Sequence, residues 1–510
     1  MKTFIVYLIF FFSFSYANHI KIASYNVENL FDDVYNGSEY DEYIPHKHGW
    51  DSRMAQIKLE HTAEVICDLD ADIIALEEIE NRYVLTKLQK LLKRAGCEYR
   101  YSAITTKTNA PIQVALLSRY LIRQTKELQV SYSPKVRNIL EVIVDIRSYP
   151  LHIFVNHWKS RGREGYESKR VKFAKRLKKR LDALPKGSEY IILGDFNTNY
   201  DAYEGLDKKI DDTGGVVGLL NILPMMRDGK LASEKLVASS DKYLYDLWLE
   251  LPYSQRYSHK FYSNKSTLDH IIIPHSMFDN KAIDYVNDSF KVFRKGYLFD
   301  RWGINHWQIK HHKHTGKGYS DHLPIYAYFD TKGYKQTTQN YNKDAKVSTI
   351  DKLYFVDRLQ TPVVLKDSVV VLKRGNYAII KQLDNKRAIF VYGARGLKEG
   401  RVYDLKVNEI GSYHGLKEIK SLKILDRKGK VSLDRFYSRD FSKINEVVKD
   451  IEGVYKRGYL YTKNNKIAIY FKNRKLTPKN GVKIKIYYAH IGYYNRVQLV
   501  IYSKRDFTVE

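Results

Sequence analysis

EYIILGDFNTNYD, residues 189–201, places an apolar run from Tyr190 to Leu193 directly before Gly194, Asp195 and Asn197. A β-branched and aliphatic run of this length reads as a buried strand, and the glycine-acid step that closes it reads as the strand end where a polar side chain is presented. The same layout recurs outward from it. SYNVENLF (24–31), ADIIALEEIEN (71–81), IFVNHWKS (153–160), TLDHIIIP (267–274) and YSDHLPI (319–325) each set an acid, an amide or an imidazole beside an apolar strand. Strand ends are where α/β proteins assemble their sites. Between these runs lie amphipathic segments such as RMAQIKLEHTAEVICDL (53–69), so residues 20 to 330 read as an α/β domain. ESKRVKFAKRLKKRLDAL (167–184) is a basic amphipathic helix with Val171, Ala174, Leu177, Leu181 and Leu184 at helical spacing; its Lys/Arg run reads as a solvated face.

The two ends carry different signals. Residues 1–17, MKTFIVYLIFFFSFSYA, combine Lys2, an apolar run from Phe4 to Phe12 and small residues at Ser15 and Ala17, the layout of a signal peptide cleaved near Ala17. The run falls short of the roughly 20 apolar residues that a membrane-spanning helix needs, so no transmembrane segment is expected after cleavage. A periplasmic or secreted protein is the expectation. At the other end, residues 331–510 hold 39 Lys and Arg against 17 Asp and Glu, net +22 of the chain's +28, leaving +6 for residues 1–330. Such a patch serves solubility, an anionic envelope polymer or a polyphosphate backbone.

Residues 331–350, TKGYKQTTQNYNKDAKVSTI, lack sustained periodicity and read as a linker between a catalytic domain at 18–330 and a C-terminal region at 351–510. Within that region the chain repeats itself. GRVYDLKVNEIGSYHGLKEI from Gly400 matches GVKIKIYYAHIGYYNRVQLV from Gly481 at a constant offset of 81 residues. The repeat implies two basic β domains, 351–430 and 431–510, with the size and composition of oligonucleotide-binding (OB-like) barrels. Cys67 and Cys97 are the only cysteines; an exported domain offers them a disulfide, and a buried free pair is the other reading.

Taken in order, the motifs with Asn26, Glu78, His157, Asp195 and Asn197, Asp269, and Asp321 and His322 resemble the endonuclease/exonuclease/phosphatase (deoxyribonuclease I-like) superfamily. Singly, an Asp or His at a strand end reads as a cap or a satisfied polar group. The ordered set over residues 20–330 is specific. The resemblance implies a four-layer α/β sandwich, two packed mixed sheets flanked by helices, with the site at one edge, and an exported nuclease branch of the superfamily. It further implies a metal set of Glu78, Asn26 and Asp321, with Mg2+ or Mn2+ as cofactor and Ca2+ as a structural alternative. Asp195 would orient or deprotonate the attacking water, Asn197 steady a phosphate oxygen, His322 contact the scissile phosphate with Asp269 as its carboxylate partner, and His157 act as a second imidazole donor. The general base stays open between Asp195 and a histidine.

Chemistry supports these roles independently, because phosphodiester hydrolysis places negative charge on phosphoryl and leaving oxygens and calls for a hard cation and fixed donors. Neighbours on a strand face opposite sides, so one of Glu77 and Glu78 is expected to enter the site. Lys159 and Arg163 are candidate phosphate contacts set against a solvated loop, and His306, His311, His312 and His314 read as a basic loop without zinc-like spacing. Tyr413 and Tyr494, equivalent in the repeat, are stacking candidates set against a role in barrel packing.

The scaffold alone admits nucleases, lipid phosphodiesterases and phosphatases. Export, the basic tail and its Lys/Tyr repeats favour a metal-dependent endonuclease of low sequence specificity acting on DNA, with RNA as a further substrate; no stable protein partner is evident. A sphingomyelinase-like enzyme would expose apolar anchors, for which GYLFDRW (296–302) is the candidate. A non-enzymatic polyanion-binding module is disfavoured by the complete set Glu78, Asp195 and His322.

Overall fold

A computed structural model describes residues 19–133, 136–162, 165–261, 264–301, 303–331 and 345–510. The signal-peptide reading of residues 1–17 lies outside them, as does Arg163. The described chain forms two compact units, one from residues up to Trp248 and from Thr267 to 331, the other from Leu249–Ser266 and residues 345–510.

The first unit starts with strand β1 (Ile20–Leu30), helix α1 (Ser52–Leu69), β2 (Ile73–Ile79) and helix α2 (Arg82–Arg94). It continues through β3 (Tyr101–Ile104), β4 (Gln113–Ser118), β5 (Ile122–Leu128), β6 (Ile139–Ile146), β7 (Tyr149–His157), helix α3 (Glu167–Leu181) and β8 (Glu189–Asp195). One mixed sheet runs Asp284–Tyr285, Ile325–Asp330, β1, β2, β4, β3, with β1 and β2 parallel. The other runs Tyr245–Asp246, Asp269–Ile273, β8, β7, β6, β5, with β7 and β8 parallel. The apolar runs of the sequence are the central strands, buried on both faces as parallel pairs require. Strand β1 of the first sheet contacts β8 of the second.

Helix α3 buries Phe173, Ala174 and Leu177 against Phe154 and Ile192, while its cations stay outward or pair, as Arg180 does with Glu141 at 2.7 Å. Cys67 and Cys97 form a disulfide with Cα atoms 5.5 Å apart. No helix among the described residues is long and apolar enough to cross a membrane.

The second unit holds two six-stranded sheets of the same design. In the first, the strands Val363–Arg374, Tyr377–Gln382, Ala388–Tyr392, Leu416–Lys430 and Arg401–Tyr413 pair in that order, and the last pairs back to the first. The second closes likewise through Val447–Lys456, Tyr459–Tyr461, Lys466–Phe471, Val497–Ile501 and Val482–Tyr493. Each is therefore barrel-like, and the repeated sequence is the same hairpin in both. Val369, Phe390, Leu416, Phe436 and Val447 join the two barrels in one apolar cluster, beside a buried Lys381–Glu446 ion pair of 2.8 Å.

The described residues of the stretch read as linker include secondary structure. Lys346–Ser348 pairs parallel with Val363–Leu365, and Ile350–Leu353 is helical. Residues 249–266, inside the stretch read as catalytic, group with the barrels because Lys265 reaches Glu409 at 2.6 Å and Lys406 lies over the Tyr253 ring at 5.7 Å.

Candidate functional site

Two parallel strand pairs bring the polar strand ends together. Asn26 is in register with Glu77, His157 with Asp195, and Asp195 with Asp269 across the antiparallel neighbour. Gly194 is obligatory for this. Its φ is +126°, and a Cβ there would lie 2.0 Å from the Asn156 carbonyl oxygen, so only glycine lets β8 close on β7 and set Asp195 beside His157.

Asp195 is the hub. Its Oδ1 accepts the Asn197 backbone N–H at 2.8 Å, and its Oδ2 accepts Asn26 Nδ2 at 3.1 Å and Asn197 Nδ2 at 3.2 Å. The Nε2 atoms of His157 and His322 stand 3.7 and 3.9 Å from the same Oδ2. His322 Nδ1 lies 2.8 Å from Asp269 Oδ2.

The two imidazoles are held in opposite states. Burial opposes charge on His322, but the carboxylates of Asp269, Asp321 and Asp195 overcome it and hold the ring well above its ordinary value, so it is cationic at neutral pH. Burial pushes His157 well below its ordinary value, helped by Arg137 and His322, and its Nδ1 is buried without a hydrogen-bond partner. His157 is therefore neutral. Burial also raises the Asp195 carboxyl.

Glu78 does face the site, though not by simple alternation. The β2 ladder slips between Glu77 and Ile79, leaving Glu78 at a bulge with φ +68°. The bulge turns its Oε1 to 3.2 Å from Asn26 Nδ2 and 3.7 Å from His157 Nε2. Glu77 is fully buried and accepts from Ser24 Oγ at 2.9 Å. Burial and then the Asp321 carboxylate raise both the Glu78 and the Glu28 carboxyls. Oxygen acids that repel one another are what a hard divalent cation relieves, and the oxygen donors of Glu78 and Asp321 suit such an ion. Asn26 Oδ1 accepts the Glu28 N–H at 3.0 Å and keeps a second lone pair, while its NH2 faces the Asp195 carboxylate at 3.1 Å. Asp195, Asp269 and His322 also place one donor atom each within 4.8 Å of one another. In that trio His322 Nδ1 is engaged by Asp269 Oδ2 at 2.8 Å, which leaves Nε2 as its open ring nitrogen.

A match to the Endonuclease/Exonuclease/phosphatase family model covers residues 21–331. The chain belongs to this family. No curated protein matches it. Solved structures similar to it include Caenorhabditis elegans TDP2, 14% identical, covering 62% of this chain and 75% of that one with a TM-score of 0.38. Danio rerio TDP2 complexed with a single-strand DNA product is 15% identical and covers 61% of this chain and 99% of that one, with a TM-score of 0.38. An endonuclease/exonuclease/phosphatase family protein from Leptotrichia buccalis is 15% identical, with coverage of 61% and 99% and a TM-score of 0.36.

In this family member Lys159 is half-buried and its carbonyl accepts Arg170 Nη1 at 3.0 Å; Arg170 is itself buried and paired with Glu167, so the first turn of α3 fixes the loop after His157. Tyr413 and Tyr494 belong to the second unit, where they are exposed with ring centroids 6.4 Å apart. His314 belongs to the core: it is buried, accepts from Trp307 Nε1 at 2.8 Å and contacts the Glu42 carbonyl.

Three site residues carry no clear mark in the sequence. Glu28 accepts the Trp307 N–H at 2.8 Å from a backbone at φ +53°. Lys58 on α1 is fully buried, donates to the Tyr319 carbonyl at 2.6 Å, and is lowered to about 8 by burial despite Glu28 and Asp321. Arg137 donates to the carbonyls of His157 and Trp158, both at 3.2 Å.

Proposed function

We propose that this chain is an exported, divalent-metal-dependent nuclease that hydrolyses phosphodiester bonds of DNA, and of RNA, with low sequence specificity. The observation that carries the reading is the convergence of the His157 and His322 Nε2 atoms on one oxygen of Asp195, at 3.7 and 3.9 Å, with Glu78 Oε1 3.7 Å from His157. Asp195 accepts the proton of, or orients, the attacking water. Cationic His322, held by Asp269, offers its Nε2–H to the scissile phosphate, and Asn197 steadies a phosphate oxygen. Neutral His157 donates toward the phosphate or leaving group. Glu78, Asp321 and Asn26 would hold Mg2+ or Mn2+, which would supply charge stabilisation for the developing oxyanions. Ca2+ remains a structural ion in this reading.

Two mixed sheets in contact support a four-layer sandwich, and the shared strand order of the barrels supports an OB-like, nucleic-acid-binding tail. The Cys67–Cys97 disulfide supports export to an oxidising compartment, periplasmic or extracellular. A gel assay of the purified chain lacking residues 1–17 tests the proposal, using supercoiled plasmid, linear duplex, single-stranded DNA and RNA with Mg2+ or with chelator. Metal-dependent nicking is expected; an intact plasmid alongside hydrolysis of a sphingomyelin would refute it.

A further inference from the structure

We infer that the C-terminal unit carries a track for single-stranded nucleic acid, formed by Tyr413, His414 and Tyr494 and continued by Arg496, Tyr459, Lys466 and Tyr461. The inference rests on the nucleic-acid reading above and deepens it by naming the surface and the form of the polymer. Two hairpin tips, one from each barrel, make its first half. Gly415, at φ +91°, lies so close to Tyr493 that a Cβ there would meet the ring at 2.6 Å, which seats one tip on the other. The exposed His414 ring then lies 4.5 Å from Tyr413 and 4.2 Å from Tyr494. Three aromatic rings from two barrels thus cluster in solvent, where a packing role would have buried them.

The second half continues from Tyr494. Across the turn the Tyr494 N–H donates to the Arg496 carbonyl at 3.1 Å, and the Arg496 guanidinium lies 5.2 Å over the Tyr459 ring while donating to its hydroxyl at 2.8 Å. Lys466 Nζ lies 4.6 Å over Tyr459 and 5.5 Å over Tyr461. Tyr459 and Tyr461 alternate with fully buried Leu460, so both rings face outward. In this half cations and rings alternate, from Arg496 to Tyr459, Lys466 and Tyr461.

Charge selects the occupant. From Gly453 to Arg505 the chain has thirteen Lys and Arg and no Asp or Glu. A polyanion is attracted to such a surface, and the interleaved rings favour one whose planar bases are free to stack. In a duplex the bases already stack on each other, so single strands should bind more tightly. DNA and RNA share this chemistry.

Fluorescence anisotropy of the full chain in chelator, with labelled oligothymidylate, oligouridylate and a mixed-sequence duplex, reads binding without cleavage. The nuclease reading can therefore fail in the plasmid assay without touching this result. Either single strand should bind more tightly than duplex, and Tyr494→Ala and Tyr461→Ala should each weaken it by about fivefold to a hundredfold, while Tyr494→Phe retains it. Photocrosslinking of a thiothymidine oligonucleotide to the unaltered chain, which requires no variant to fold, should label tyrosines of this track. Equal binding of duplex, unchanged affinity in folded Ala variants, adducts confined to other surfaces, or binding of anionic vesicles without oligonucleotide binding would each overturn the track.

Discussion

His322 Nδ1 and Asp269 Oδ2 are 2.8 Å apart, and both side chains are buried. The pair fixes which ring nitrogen faces Asp195 and keeps the imidazole charged, since the carboxylates around it outweigh its burial. Because the folded pKa is raised, stability from this pair is fully present below the unfolded value of about 6.5 and is lost as pH rises through the folded value. Activity that needs the cation should fall on the same alkaline limb. Asp269→Asn should lower the rate by about 10²- to 10⁴-fold and move that limb to lower pH, read from a pH–rate profile. An unmoved limb would place the controlling charge elsewhere.

Burial and then the Asp321 carboxylate raise the cost of ionising Glu78. Asp321→Asn should therefore lower the Glu78 carboxyl pKa, measured by carboxyl carbon NMR in chelator. Glu78→Gln should abolish Mg2+ binding in calorimetry while leaving the far-ultraviolet spectrum unchanged, because the side chain reaches the site from a bulge and not from the core.

His490 lies buried in the second barrel between Tyr502 Oη at 2.9 Å and Asn445 Oδ1 at 3.1 Å, and burial lowers it to about 3. Below about pH 6.5 the unfolded chain takes up a proton there that the folded barrel refuses. Stability of the C-terminal unit should fall by ~1.4 kcal/mol per pH unit between about 6.5 and 3, and His490→Gln should flatten that slope. Denaturant melts at stepped pH measure it.

The Cys67–Cys97 bond closes a loop of 30 residues between the end of α1 and the turn after α2. Reduction should cost the first unit about 3–4 kcal/mol by loop-closure entropy. Paired melts with and without reductant test this, and equal midpoints would contradict it.

His157, Asp195, Asn197, Asp269 and His322 are legible in the sequence because each lies at or just beyond the end of an apolar strand, and strand register brings His157, Asp195 and Asp269 together. Glu78 is marked by its motif, yet strict alternation is not what directs it: the bulge that turns it has no local sequence mark. Glu28 is hidden for a similar reason, since two residues at positive φ break the β1 pleat after Asn26. Lys58 is hidden because a helical lysine reads as solvated, and only the tertiary fold buries it beside Glu28 and Asp321. Arg137 stands in a polar stretch whose partners are remote carbonyls. The repeat is plain from its spacing, whereas the parallel pairing of Lys346–Ser348 and the grouping of residues 249–266 with the barrels depend on distant contacts that no periodicity encodes.

Single-turnover cleavage of a labelled single-stranded DNA with saturating Mg2+, comparing the unaltered chain with Asp195→Asn, tests the central claim most directly. Removing the one carboxylate that both imidazoles face should cut the rate at least about 10²-fold while leaving Mg2+ and DNA binding in place. Equal rates in the two proteins would contradict the assignment of hydrolysis to this cluster.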